Sequence, residues 1–173
     1  MKKSMVVFFL FFLLSACGGG SGNSNPSLSE HYAKKIIDWQ AREKLAPPIH
    51  TTCYDTGYIE FDIMSTVNQV FPFTAVSEQP GTDYWQTSEE SLARRAGDCE
   101  DMAILAYRAL SDSCLKDKID VRIRGLDEPG NIDHFVAIVY YGPFSFEIDN
   151  LVFKIGESET EIITEFDGKY IFF

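Results

Sequence analysis

Basic charge is what this sequence has least of. Its 173 residues carry 15 Lys and Arg against 26 Asp and Glu, a net charge of −11. Such an acidic surface repels phosphate backbones and anionic headgroups. Nucleic acid is thereby excluded as a partner, and so is electrostatic docking on anionic lipid. No apolar run is long enough to cross a bilayer, which takes about 20 residues; the longest, Met5 to Leu14, ends after ten. There is no internal repeat and no composition break that would divide the chain, so one domain is expected. Histidine is scarce, which restricts any imidazole base to His31, His50 or His134. Cysteine is scarce too, with Cys17, Cys53, Cys99 and Cys114 only.

The short apolar run has a different use. Lys2 and Lys3 precede it and Ser15-Ala16-Cys17 follow, the layout of a secretory signal. Leu14-Ser15-Ala16-Cys17 resembles the lipobox of bacterial lipoproteins, which implies cleavage after residue 16 and a lipidated Cys17. Two or more acyl chains hold a protein stably on a membrane surface. Gly18-Gly19-Gly20-Ser21-Gly22 and the polar residues to position 28 read as a flexible tether, leaving 29–173 as the folded domain. Gly18 stands where an inner-membrane lipoprotein usually has Asp, so the resemblance leans to the outer membrane. Loss of Lys2 and Lys3 leaves 13 bases against 26 acids, a mature charge of −13.

With Cys17 given to lipid, three cysteines remain in an oxidising compartment, and an odd number leaves at least one thiol over. Pairing Cys53 with Cys114 leaves Cys99 as the working thiol. Pairing Cys99 with either of the others would silence it.

Ser27 and Glu30 have capping-box spacing and open a helix through Ile36, Ile37 and Trp39 that must end by Pro47-Pro48. Ile59 to Val70 is ambiguous between helix and strand and leans to helix. A short helix is expected at 88–92. Gly97-Asp98 then breaks the chain before a stronger one, in which Cys99, Met102, Ala103, Ala106 and Leu110 form one apolar stripe. Beyond Asp117 the period changes to two. Strands are expected at 119–125, from His134 to Tyr141, at 144–149 and at 169–173. Helices first and strands second imply an α+β domain, with N-terminal helices packed on an antiparallel sheet.

Three residues in this frame can carry chemistry. Cys99 lies in the first turn of its helix after Asp98, a good N-cap residue, where backbone N–H groups and the helix dipole favour a thiolate. Asp98, Glu100 and Asp101 oppose that charge, so a positive partner is required. His134 and Asp149 are brought together by the hairpin. Tyr141-Gly142-Pro143-Phe144 fits a two-residue type II′ turn, so paired residue numbers sum to 285 and Asp149 opposes Val136. His134 then lies diagonally from Asp149 on the same face, within side-chain reach. A carboxylate on one ring nitrogen turns the other towards a nucleophile. Tyr84 and Trp85 are candidate walls of a substrate pocket.

Asp83-Tyr84-Trp85, Ser88 to Leu92 and Gly97-Asp98-Cys99-Glu100-Asp101-Met102-Ala103, with His134-Phe135-Val136 and Ile148-Asp149-Asn150-Leu151, resemble the bacterial transglutaminase-like superfamily. The likeness is nearest to its periplasmic cysteine proteases. It implies a papain-like α+β fold, with Cys99 as nucleophile, His134 as base and Asp149 as orienter. The implied substrate is a protein or peptide at the cell envelope. No cofactor is implied for the chemistry, though some of these proteases bind calcium through acids flanking the cysteine, here Asp98 and Glu100. Thr87-Ser88 replaces a proline that the family often has after the tryptophan. The reading is an envelope lipoprotein cysteine protease. An amine acceptor in place of water would make it a transglutaminase-type acyltransferase, and loss of the active thiol would make it a binding module.

Overall fold

The computed structural model describes residues 28–71, 74–76, 84–128, 131–150, 152–156, 161–166 and 171–172. The signal, Cys17, the tether up to residue 27 and Ser27 of the expected capping box lie outside them, while residue 28, the last of the expected tether, begins the first helix. The elements run α1 (Leu28–Glu43), α2 (Ile59–Val67), β1 (Thr74–Ala75), α3 (Ser88–Arg94), β2 (Ala96–Gly97), α4 (Cys99–Ser111), β3 (Asp120–Glu128), β4 (Asn131–Tyr141), β5 (Phe144–Asp149), β6 (Val152–Ile155), β7 (Glu161–Phe166) and β8 (Ile171–Phe172). The domain is α+β. Its main sheet is six-stranded, in the order β6-β5-β4-β3-β7-β8, and every pairing in that order is antiparallel.

Helix α1 ends before Pro47-Pro48, as a residue without an N–H demands, and buries Ile36 and Trp39 three residues apart. One turn on, Glu43 is buried and accepts a hydrogen bond from the Ser88 backbone N–H at 2.8 Å. Its other oxygen lies 3.7 Å from Nε of Arg108. A single carboxylate therefore joins the end of α1 to the start of α3 and the last turn of α4. The ambiguous stretch from Ile59 is helical to Val67, with Ile63 and Val67 in the core.

Helix α4 is more deeply buried than its stripe indicated. Beside Met102, Ala103, Ala106 and Leu110, it also buries Ile104, Leu105, Tyr107 and Ala109. It packs on β3, β4 and β5 on one side and on α2 and α3 on the other. A helix with protein on both sides has no solvent face to reveal by periodicity.

The β4–β5 hairpin has the expected register, from Tyr141↔Phe144 to Ala137↔Ile148. Gly142 has φ +57, the positive angle that the first central position of this turn needs. Strand β4 begins at Asn131, so His134 sits inside the strand rather than opening it. The short parallel pair β1–β2, the edge strand β6 and strand β7 were not foreseen. Cys53 and Cys114 form a disulfide with Cα atoms 5.6 Å apart, and Cys99 lies outside it.

Candidate active site

The cysteine is carried to the sheet by three successive local devices. Thr87 and Glu90 form a reciprocal capping box at the start of α3, with the Thr87 N–H donating to Glu90 at 2.7 Å. Arg95, in the left-handed region at φ +53, ends that helix and turns the chain into β2. Gly97 then passes so close to Asp101 that a Cβ there would lie 2.6 Å from the Asp101 Cβ. That approach seats the first turn of α4, with Cys99 as its first residue. Asp101 accepts from the Gln86 N–H at 2.7 Å and from the Gln86 side-chain amide. The segment before α3 is thereby fastened to the turn that carries the thiol.

The electrostatics of that turn differ from the expectation. Asp98 occupies the N-cap position, but its side chain makes no capping bond; its carboxyl hydrogen-bonds with that of Glu100. The Cys99 thiol donates to Glu100 Oε2 at 3.3 Å and accepts from the Phe135 N–H on β4. Burial pushes the thiol well above its ordinary value, and the Glu100 and Asp98 charges push it further, outweighing the Phe135 bond. The helix start alone therefore does not produce a thiolate. Burial and the neighbouring Asp98 likewise push Glu100 up to about 8. Burial pushes Asp101 up to about 7, against its hydrogen bonds from Gln86.

One residue before Phe135, His134 is 9% exposed, and its Nε2 lies 2.7 Å from Asp149 Oδ1. With Nε2 committed to the carboxylate, Nδ1 is the nitrogen left to take a proton. The second oxygen of Asp149 accepts from Lys154 Nζ at 2.9 Å, and the same ammonium lies 2.8 Å from Glu147 Oε1. Burial raises the Asp149 carboxyl, but the bonds from Lys154 and His134 prevail and hold it below the usual aspartate range.

Cys99 and the His134–Asp149 pair thus meet at β4, through the backbone of Phe135. Tyr84 and Trp85 separate. Trp85 is 3% exposed and packs edge-on against Phe135 with ring centroids 4.8 Å apart, as part of the core beneath the site. Tyr84 is 46% exposed and bonds Glu90 at 2.8 Å and Arg42 at 2.7 Å. His50 is exposed in a loop. A groove of about 340 Å³ beside Asn150 is lined by Met64, Val67, Phe71, Ile148, Val152 and Phe153.

Gln86, Lys154 and Glu147 went unread in the sequence, where Asp101 figures as an opposing charge and not as the acceptor of Gln86. The signal for Lys154 was there: Asn150 is a residue type that tolerates the left-handed region and has φ +54, so it can reverse the chain after β5. The pairing Asp149↔Val152 sets Lys154 opposite Glu147.

The α+β fold sets a thiol at a helix start against an antiparallel sheet that holds a histidine–carboxylate pair. Solved structures share that fold. Calcium-bound LapG of Legionella pneumophila is 22% identical, with 80% of each chain covered and a TM-score of 0.50. A second structure of Legionella pneumophila LapG is 19% identical, covering 83% of this chain and 76% of its own, with a TM-score of 0.51. The α+β fold anticipated from the sequence is thus one that this chain shares with LapG. At these identities the likeness is one of fold. No family model and no curated protein sequence matches the chain.

Proposed function

We propose that the chain is an envelope lipoprotein cysteine protease, with Cys99 as nucleophile, His134 as base and Asp149 as orienter. The observation that carries this reading is the 2.7 Å His134–Asp149 bond on the strand whose next residue, Phe135, donates its N–H to the Cys99 sulfur. Sγ attacks the carbonyl carbon of a peptide bond while Nδ1 of His134 takes the thiol proton. The same proton then passes to the leaving amine as the C–N bond breaks, leaving a thioester on Cys99. Water, deprotonated by His134, attacks the thioester carbonyl and releases the acid and the thiol. The N–H of Cys99, in the first turn of α4, is the natural donor to the developing oxyanion. The apolar groove beside Asn150 offers room for side chains of a polypeptide.

Calcium fits the carboxylates that flank the thiol. Asp98 and Glu100 offer hard oxygen ligands, and burial together with the Asp98 charge pushes Glu100 up to about 8, a sign of crowded negative charge. They supply two of the six to eight oxygens calcium takes. Among the described residues no group of three His, Cys, Asp or Glu side chains is poised to hold a metal, and backbone carbonyls and water would complete the shell. Bound calcium supplies positive charge beside the thiol. Glu100 would then no longer hold the Cys99 proton, and His134 would be its acceptor. Calcium in a LapG crystal is consistent with this assignment.

Cys17 is the proposed lipid attachment point, in keeping with Leu14-Ser15-Ala16 before it, and Gly18 favours the outer membrane. Replacing Cys17 with Ser should release the protein from the membrane fraction; retention there would refute the anchor.

The test of the activity is pH-dependent alkylation, mapped by peptide, on wild type and His134→Ala with calcium present. Fast labelling of Cys99 near neutral pH, slowed by the substitution, supports the enzyme. Labelling indifferent to His134 leaves a binding module. Cleavage of envelope proteins without uptake of a labelled amine separates hydrolysis from amide transfer.

A further inference from the structure

Beyond the three site residues, the end of the sheet holds a fourth charged group whose place is specific. Lys154 lies on the edge strand β6, with its ammonium 2.9 Å from Asp149 Oδ2 and 2.8 Å from Glu147 Oε1. Glu147 is 1% exposed and lies two residues before Asp149 on β5, so both carboxylates project from the same face of that strand. The pairing Glu147↔Lys154 fixes the stem of the lysine by backbone bonds. Its head is fixed by two carboxylates. A carboxylate whose Oδ2 is held in this way cannot turn about its terminal torsion without breaking an ion pair.

We propose that Lys154 is a positioning residue for the candidate site: anchored by buried Glu147, it holds Oδ2 of Asp149 and thereby presents Oδ1 to Nε2 of His134. This assignment rests on the reading of His134 and Asp149 as a working pair. It adds a link in which each group has one task. Glu147 fixes the ammonium, the ammonium fixes the carboxylate, and the carboxylate fixes the imidazole and its tautomer. The charged and titratable groups described on the elements around the pair include Asp98, Cys99, Glu100 and Asp101 on α4, Arg124 on β3, Glu147 on β5 and Lys154 on β6. Arg124 is buried on the strand beside β4 and donates to Tyr140 at 2.7 Å, whereas the Lys154 ammonium lies 2.9 Å from Asp149 itself. The hydrogen bond from Lys154 is also the leading influence that keeps the Asp149 carboxyl ionised against its burial.

The test is NMR on the full-length chain in detergent, labelled with ¹³C and ¹⁵N, as wild type, Lys154→Met and Lys154→Arg. In wild type the proton bound to His134 Nε2 should give a slowly exchanging low-field signal. In Lys154→Met that signal should broaden or be lost, and the ¹³C-observed titration of Asp149 should move up by about half a unit or more, the size expected for one charge at this distance in a half-exposed site. Lys154→Arg should restore both. If the single variant does not fold because buried Glu147 has lost its ion pair with Lys154, the double variant Glu147→Gln, Lys154→Met answers the same question. An unchanged His134 signal together with an unmoved Asp149 titration, in a folded variant, overturns the proposal whatever the enzyme does. Altered spectra in a protein whose Cys99 never reacts keep Lys154 in its role and defeat the protease reading instead.

Discussion

Asp149 is held from two sides: Oδ1 lies 2.7 Å from Nε2 of His134 and Oδ2 lies 2.9 Å from Nζ of Lys154. The carboxylate has no lone oxygen with which to change partner, so its effect on the imidazole should depend on its charge. Asp149→Asn keeps the shape but can turn an N–H towards Nε2, which favours the tautomer with its proton on Nδ1. The rate of acylation at Cys99 should fall by about two to four orders of magnitude, the usual worth of a positioned base, with little change in thermal midpoint. The sign with pH follows from the depressed Asp149 value. A carboxylate lowered on folding stabilises the native state above its unfolded pKa, and that contribution disappears as pH falls through the folded one. Acid titration below about pH 4 should therefore weaken wild type, while Asp149→Asn should lack this component. Parallel acid denaturation of the two proteins checks it.

The thiol gives the second prediction. Glu100 raises Cys99 both by its charge and by accepting the thiol's hydrogen bond at 3.3 Å. Glu100→Gln removes the charge and should lower the pH at which Cys99 is alkylated, with no calcium added. In wild type, calcium should produce the same shift and a chelator should reverse it. A calcium effect that survives unchanged in the double variant Asp98→Asn, Glu100→Gln would place the ion elsewhere.

The His134–Asp149 pair was legible because one turn, Tyr141 to Phe144, dictates the register of every residue pair behind it. Local chemistry of this kind survives translation into three dimensions. For Lys154 the one local signal is the reversal that Asn150 permits, because β6 has four residues and no period announces it. The pairing of Thr74 with Ala96 depends on a connection that no local signal encodes. The thiol was misjudged for a further reason. Helix-start electrostatics are visible in a sequence, whereas burial, the largest influence on Cys99, appears only once Phe135 and Trp85 are packed around it.

The disulfide should matter for stability and leave the chemistry untouched. Cys53 and Cys114 are 61 residues apart in sequence, and closing a loop of that length restricts the unfolded chain by about 4 kcal/mol in the chain-entropy treatment. The double variant Cys53→Ala, Cys114→Ala should lose stability of that order in urea unfolding. Cys99 alkylation of the folded fraction should keep its rate and pH dependence. A variant with normal stability would show that the bridge constrains little, and altered Cys99 kinetics would show that the 53–114 region reaches the site.

Gly97 and Gly57 offer a paired test of how the thiol is seated. A Cβ at position 97 would lie 2.6 Å from the Asp101 Cβ, and Asp101 cannot withdraw, because its carboxylate is bonded to the backbone and side chain of Gln86. Gly97→Ala must therefore push β2 away from the first turn of α4, and Cys99 lies in that turn. Overpacking of this kind costs about 1–3 kcal/mol, and the displaced sulfur should lose its Phe135 contact and much of its His134-dependent reactivity. Gly57 has φ +87 with nothing within 4 Å of its missing Cβ. Gly57→Ala should cost about 1 kcal/mol through the backbone alone and leave Cys99 kinetics as they were. If both substitutions lower stability to a similar degree but only Gly97→Ala slows Cys99, close approach at Gly97 seats the nucleophile. If reactivity tracks stability in both, the glycine serves the fold in general, and the positioning of Cys99 depends on Phe135 and α4 instead.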